Sequence, residues 1–365
     1  AVGLAANASR APASGSGDLT NSFSVGLAVT AWELDFFGRV ASLKEQALAQ
    51  YLASEEGRNA AQVSLISAVA NGWLTLLADE QLLELSRQTL ATREESVRLT
   101  KLRLDSGAAS ELDYRQAESL TQAARATLAQ QQRQRALDEN ALALLLGQPL
   151  PEDIRASLSR SDLRAAPSMQ AIPAGLPSDL LAQRPDIRQA EQQLVAANAN
   201  IGAARAAFFP RIALTAQAGT ASGELSGLFK NGSWGFTLAP SLLLPLFDAG
   251  ANQANLDSAQ VGRKLAVAQY EKSIQTAFRE VSDALASQST LTEQLDAQTK
   301  QAEAEAIRLN LADLRYKNGV ASYLDLLDAQ RSLFSTQQGV VQVRLGQLQN
   351  QVTLFKALGG GWDAQ

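Results

Sequence analysis

The sequence predicts a mainly helical protein with a small β part, organised as two copies of a strand–strand–long helix–helix unit. Three observations carry that expectation. One turn occurs twice at a fixed distance, two long proline-free blocks are rich in helix formers, and stretches of alternating polarity precede each block.

The turn reads "LRLDSGAASELD" from Leu102 and "LRYKNGVASYLD" from Leu314, with seven of twelve letters shared and an offset of 212 residues. The same offset relates Leu34 to Leu246, Gly38 to Gly250, Val69 to Val281, Leu99 to Leu311 and Gly147 to Gly359. No insertion is needed, so residues 26–147 recur as 238–359. A constant register across a matched turn marks an internal duplication.

Proline breaks helix interiors and sheet ladders alike. None lies between Pro12 and Pro149 or after Pro245, which leaves two blocks coinciding with the two copies. Each block reads as a very long helix, a turn and a second helix. The first helix runs from Val40 to about Leu104, breaks at Gly107, and is followed by a helix ending at Leu146. The second block repeats this from Ala251 to about Tyr316, breaks at Gly319 and ends at Leu358. Both are rich in Ala, Leu, Gln and Glu, which are good helix formers. At ~1.5 Å per residue the longer helices reach roughly 95–100 Å. Large apolar residues are diluted by Ala, Ser and Gln. That composition suits either the wall of a water-filled helical tube or a solid antiparallel coiled coil with a solvated outer face.

Four stretches read as strands. "FSVGLAVT" sets Phe23, Val25, Leu27 and Val29 against smaller or polar neighbours, and "RIALTAQAG" does the same with Ile212, Leu214, Ala216 and Ala218. "WGFTLAPSLLLPLF" from Trp234 and "AVGLAANAS" from Ala1 complete two hairpins, each with a loop rich in Gly, Ser or Asn. Four strands are too few to close a barrel, whereas three chains would supply twelve and leave no edge; the alternative is a small β-domain closed within one chain. The second pair is preceded by a helical stretch, 186–209, whose counterpart would fall before Ala1. The duplication therefore implies further residues ahead of this sequence.

Composition excludes several chemistries. The chain has 365 residues, no Cys and no His. Disulfides, thiolate sites, common zinc sites and Ser–His triads are therefore ruled out. A net charge of −5 lacks the basic footprint of a nucleic-acid binder. No unbroken apolar run reaches the ~18–20 residues of a membrane helix, so a membrane role would fall to strands or to a removed segment. No metal, cofactor or catalytic constellation can be read from the residues.

Several stretches resemble the TolC/OprM family of outer-membrane factors, most closely the OprM-type branch that serves RND multidrug pumps. They are "TAWELDFFGRV", "ARATLAQ", "PAGLPSDLLAQRPDI", "ANIGAARAAFFP", "VAQYEKSIQTAF", "YLDLLDAQRSLF" and "KALGGGW". The resemblance covers nearly the whole chain. It implies a homotrimer with a twelve-stranded barrel in outer-membrane lipid and a twelve-helix tube in the periplasm. It also implies two partners, a periplasmic adaptor protein and an inner-membrane RND transporter. Relatives often carry a lipidated cysteine at the N-terminus. On this reading residues 1–36 and 210–248 are barrel strands, and 37–147 and 249–359 are the two helical hairpins. Residues 148–185 form a proline-rich equatorial belt, 186–209 a tube helix, and 360–365 the start of a tail.

The resemblance gives the two turns a role. In relatives, glycine-containing hairpin tips accept the adaptor, which by position means Gly107, Ala108 and Ala109, then Gly319, Val320 and Ala321. Related channels also place carboxylate rings just beyond the second turn. Here Asp325 and Asp328 lie three apart on one helix face, and Leu324 matches a pore-narrowing leucine. Leu324 and Asp328 are expected to hold the resting tip shut, with Asp325, Arg331 and Asp113 in supporting networks. Gln116 stands in the first copy where Asp328 stands in the second, so the stronger acidic ring should come from the second hairpin. The expected function is a passive exit duct. The alternatives are a duct for ABC-driven type I protein secretion and a soluble coiled-coil scaffold.

Overall fold

A computed structural model describes residues 2–12, 19–158, 163 and 183–360. Its elements run β1 (Val2–Pro12), β2 (Leu19–Leu34), α1 (Arg39–Asp105), α2 (Glu111–Leu146) and α3 (Glu152–Leu158). They continue with α4 (Pro185–Ala206), β3 (Arg211–Ser222), β4 (Trp234–Leu243), α5 (Ala251–Lys317) and α6 (Tyr323–Ala357). The two long helices have 67 residues each. Most of the proline-rich segment 148–185, and the tail beyond residue 360, lie outside the described residues.

The chain divides into two compact units, residues 1–56 with 188–272 and residues 57–187 with 273–365. The first holds a single four-stranded antiparallel sheet in the order β1-β2-β3-β4. The two expected hairpins are thus joined edge to edge by β2 and β3, which belong to different copies of the repeat. Cross-strand partners share a face of a sheet. One face carries rows such as Val2, Val29, Ala216 and Leu238, then Leu4, Leu27, Ala218 and Phe236. The other carries Asn7 with Ser24 and, in a separate row, Ala5, Gly26, Gly219 and Gly235. The apolar face is bare: Leu4, Leu27 and Phe236 are 76%, 58% and 74% exposed.

A bulge between Val29 and Trp32 keeps this division intact. Ala31 takes a left-handed φ of 48° there. The extra residue shifts the phase by one, so Trp32 and Leu34 join the apolar face opposite Leu214 and Ile212. Glu33 is thereby turned to the small-residue face, where Arg39 and Arg211 grip it at 2.7 and 2.8 Å. In the same unit the buried side of α4 is made of alanines: Ala196, Ala199, Ala203 and Ala206.

The second unit has two apolar clusters. One gathers Leu76, Leu77, Leu142, Leu150, Leu158, Leu163 and Leu348. The other gathers Ala117, Tyr323, Leu326 and Leu327 and sets the two turns side by side. Arg184, 5% exposed, ties the unit together: it pairs with Asp186 at 2.7 Å and Glu280 at 2.8 Å and donates to the Ala357 carbonyl at 3.0 Å. α1 also contains a window apolar enough, by length and composition, to cross a membrane. Scattered Gln, Ser and Asn hide it from a search for unbroken apolar runs.

A carboxyl pair lies between α1 and α2. Asp79 is 6% exposed and its Oδ2 has no hydrogen-bond partner as a carboxylate. Burial, then the hydrogen bond and charge of Asp138, push the Asp79 carboxyl up to about 7. A proton on Asp79 would satisfy the orphan oxygen by donating to Asp138. Glu80 adds repulsion, while Arg135 opposes the shift. The folded state therefore holds a proton that the unfolded chain releases near pH ~4. Stability from this group is full below that pH, falls as pH rises towards 7, and is flat above. Asp79→Asn is expected to stabilise at pH 8, by at most about 4 kcal/mol, and to be neutral near pH 4. Thermal melts at the two pH values check this.

Candidate functional site: the paired turns

Each turn is built from two standard devices in series. At the first, Gly107 has φ 74°, and the Gly107 and Ala108 amides donate back to the Leu104 and Arg103 carbonyls. At the second, Gly319 has φ 70°, and the Gly319 and Val320 amides donate to Tyr316 and Arg315. This left-handed cap satisfies the last carbonyls of a helix and needs glycine. Three residues on, Ser110 and Ser322 start the next helix through capping boxes closed by Asp113 and Asp325. One seven-letter identity thus encodes a helix stop, a reversal and a helix start. Ala108 and Val320 are left exposed at the tips, while Ala109 and Ala321 are half-buried.

The capping boxes redefine two of the expected gate carboxylates. Asp325 accepts from the Ser322 hydroxyl at 2.8 Å and the Ser322 amide at 3.0 Å. The Ser322 hydroxyl, then its amide, hold the Asp325 carboxyl below its usual range. Asp113 likewise accepts from the Ser110 hydroxyl at 2.8 Å and the Ser110 amide at 3.1 Å. Within one chain both are occupied in ending the turn.

Asp328 is different. It lies on the exposed face of α6 with Leu324, which is 56% exposed, and Arg331. Its partner is Arg308 of α5. Arg308 also binds Glu305 at 3.0 Å and donates to the Ser332 hydroxyl at 3.3 Å. The helices are side by side here, so Arg308 reaches across from α5 to both Asp328 and Ser332 of α6. Gln116, the first-copy counterpart of Asp328, is half-buried. Sequence reasoning missed Arg308 and Glu305, although an i,i+3 acid–base pair one helix before a lone aspartate was a usable signal. It also missed the aromatic seam, where Tyr316 meets Tyr323 at 5.3 Å and Arg103 covers the Tyr316 ring at 4.7 Å.

A half-bare four-stranded sheet leading into long duplicated hairpins defines a class: strand-and-helix channel proteins of the outer membrane. Residues 1–148 and 176–360 match the outer membrane efflux protein family, and the chain belongs to it. It is 50% identical over 349 residues to the solvent efflux pump outer membrane protein SrpC of Pseudomonas putida, covering 96% of this chain and 73% of that protein. It is 48% identical over 351 residues to the antibiotic efflux pump outer membrane protein ArpC of Pseudomonas putida, covering 96% and 72%. Among solved structures, the open state of the MtrE outer membrane channel of Neisseria gonorrhoeae is similar, with TM-score 0.89 and 42% identity, covering 99% of this chain and 80% of that one.

Proposed function

We propose that three copies of this chain close into a twelve-stranded barrel in outer-membrane lipid, continued by a twelve-helix tube in the periplasm. The assembly is the passive exit duct of a tripartite RND-type pump for small apolar compounds such as solvents and antibiotics. The observation that carries this is the sheet. Its apolar face is exposed, its opposite face is small and polar, and β1 and β4 have no outer neighbour among the described residues. A sheet with two open edges is unstable in lipid unless it closes. The names borne by the relatives favour drug and solvent export over protein secretion. The duct performs no reaction; the energy comes from the inner-membrane transporter.

Residues 1–36 and 210–248 would supply the barrel, 37–147, 186–209 and 249–359 the tube, and 148–185 a belt around it, with 360–365 beginning the tail. At the tip, Leu324 and Asp328 would ring the threefold axis and narrow the resting pore, with Arg308 neutralising each aspartate from its own chain. Asp325, Asp113, Gln116 and Arg331 flank that ring. The tips Gly107, Ala108 and Ala109, and Gly319, Val320 and Ala321, would receive the adaptor hairpins.

Single-channel recording tests the gate. Asp328→Ala and Leu324→Ala are expected to raise resting conductance severalfold and to increase leak of large antibiotics in cells. Arg308→Ala is expected to change conductance in the same direction, because three unneutralised carboxylates repel one another. Conductance unchanged in all three variants would remove these residues from the gate.

A further inference from the structure

The duplication repeats the strand hairpins as well as the helical ones, and the strand registers show how. In β1–β2, Leu4 faces Leu27 and Ala6 faces Val25. In β3–β4, Ala216 faces Leu238 and Ala218 faces Phe236. Ala6 to Ala218 is the repeat offset of 212, so β1 corresponds to β3. Val25 to Phe236 is then an offset of 211, and β2 corresponds to β4. The two hairpins meet where β2 pairs with β3, from Phe23 with Ser222 to Val29 with Ala216. Each strand of that seam has its counterpart at an open edge of the sheet, β4 for β2 and β1 for β3. One chain thus carries a complete seam and the two separated halves of another.

We propose that β4 of one chain pairs antiparallel with β1 of the next in the register copied from β2–β3; this deepens, and rests on, the closed-barrel reading above. Carried across, that register sets Leu238 opposite Ala6 of the next chain, Phe236 opposite its Ala8, Thr237 opposite its Asn7 and Trp234 opposite its Arg10. Three features of the edges fit. Phe236 and Leu238, both exposed, meet alanines and stay on the apolar face. Arg10 lies on that same face, and the exposed Trp234 ring offers its guanidinium a cation–π partner. Pro240, which cannot donate to a ladder, holds the place of Val29, the last regular pair before the bulge in β2. Both seams therefore lose regular pairing at the same level. One difference is built in. The β2–β3 seam presses Gly26 against Gly219, where a Cβ would strike backbone, whereas the seam between chains holds Thr237 and Asn7 at that level. It has room for side chains, and the hydroxyl and amide form a polar cross-strand pair on the small-residue face.

Cysteine cross-linking in the full-length chain tests the register, because the native sequence contains no Cys. Asn7→Cys is combined in turn with Gly235→Cys, Thr237→Cys and Ala239→Cys. Each variant is sized in detergent, then treated with a bifunctional thiol reagent of about 5 Å span. Such a reagent bridges directly facing residues, with Cβ atoms about 4.5–5.5 Å apart, in preference to diagonal ones at about 7–8 Å. The expected result is covalent trimer from the Asn7→Cys/Thr237→Cys variant, formed about tenfold faster than from either other pair, and none from single variants. Faster reaction with Gly235→Cys or Ala239→Cys overturns the register and leaves the barrel standing. Covalent dimer from Asn7→Cys or Thr237→Cys alone means that like edges meet, and overturns both. Absence of cross-linking in a trimer overturns the proposed seam, whereas a monomer in detergent overturns the closed-barrel reading beneath it.

Discussion

Gly219→Val is expected to abolish assembly of the sheet and so to eliminate membrane-inserted protein. Gly219 faces Gly26 across the seam between the two copies of the repeat. A Cβ on Gly219 would lie 2.2 Å from the Val25 carbonyl oxygen and 2.4 Å from the Gly26 Cα. A Cβ on Gly26 would meet the Ala218 carbonyl oxygen at 2.4 Å. These are backbone atoms, which cannot rotate away as a side chain can. Relief requires parting β2 from β3, the ladder that makes one sheet of two hairpins. Overpacking of an ordinary core costs about 1–3 kcal/mol; here the clash breaks backbone pairing as well. Gly235 supplies the control, because it shares the row with Gly219 yet has open space where a Cβ would go. Gly235→Ala should insert at normal yield, Gly219→Ala poorly, and Gly219→Val not at all. The yield of protease-resistant protein in lipid vesicles measures the series.

Arg184→Ala is expected to cost about 3 kcal/mol, the scale of removing one partner from a buried ion pair. The guanidinium forms two bonds to Asp186, one to Glu280 and one to the Ala357 carbonyl, so it joins the start of α4, the body of α5 and the end of α6. Arg184→Lys should recover little, since an ammonium cannot reproduce the fork. The pH dependence separates this from a simple packing loss. Burial works to raise the Asp186 carboxyl, but Arg184 overrides it and holds the group below its usual range. Its contribution is therefore present above pH ~4 and disappears as pH falls through the depressed value. The native protein should lose this increment in acid while Arg184→Ala has none to lose, so the gap between their melting curves should narrow below pH ~4.

Much of this architecture was legible in the residues because local rules decide it. Period-two alternation reports which face of a strand is apolar, and it does so for Leu27 and Leu214 without knowledge of their partners. The glycine in each repeated turn announced a reversal, while the Ser and Asp three apart that start the next helices were a local signal left unread. Non-local pairing was less legible. Nothing near Ala31 signals the bulge that turns Trp32 to the apolar face and Glu33 to the small-residue face, since its effect appears only against β3. The pairing of β2 with β3 joins residues almost 200 apart in sequence. At the tip, helix packing brought Arg308 of α5 to Asp328 of α6, a pairing that spacing along one helix cannot show.

The central claim is that one chain supplies only part of a closed conduit. Its direct test is the mass of the purified protein in detergent, with ion conductance recorded on the same sample in a planar bilayer. A trimer that conducts is the predicted result. A stable, water-soluble monomer that leaves the bilayer sealed would contradict the claim, along with the barrel, the tube and the ring at Asp328.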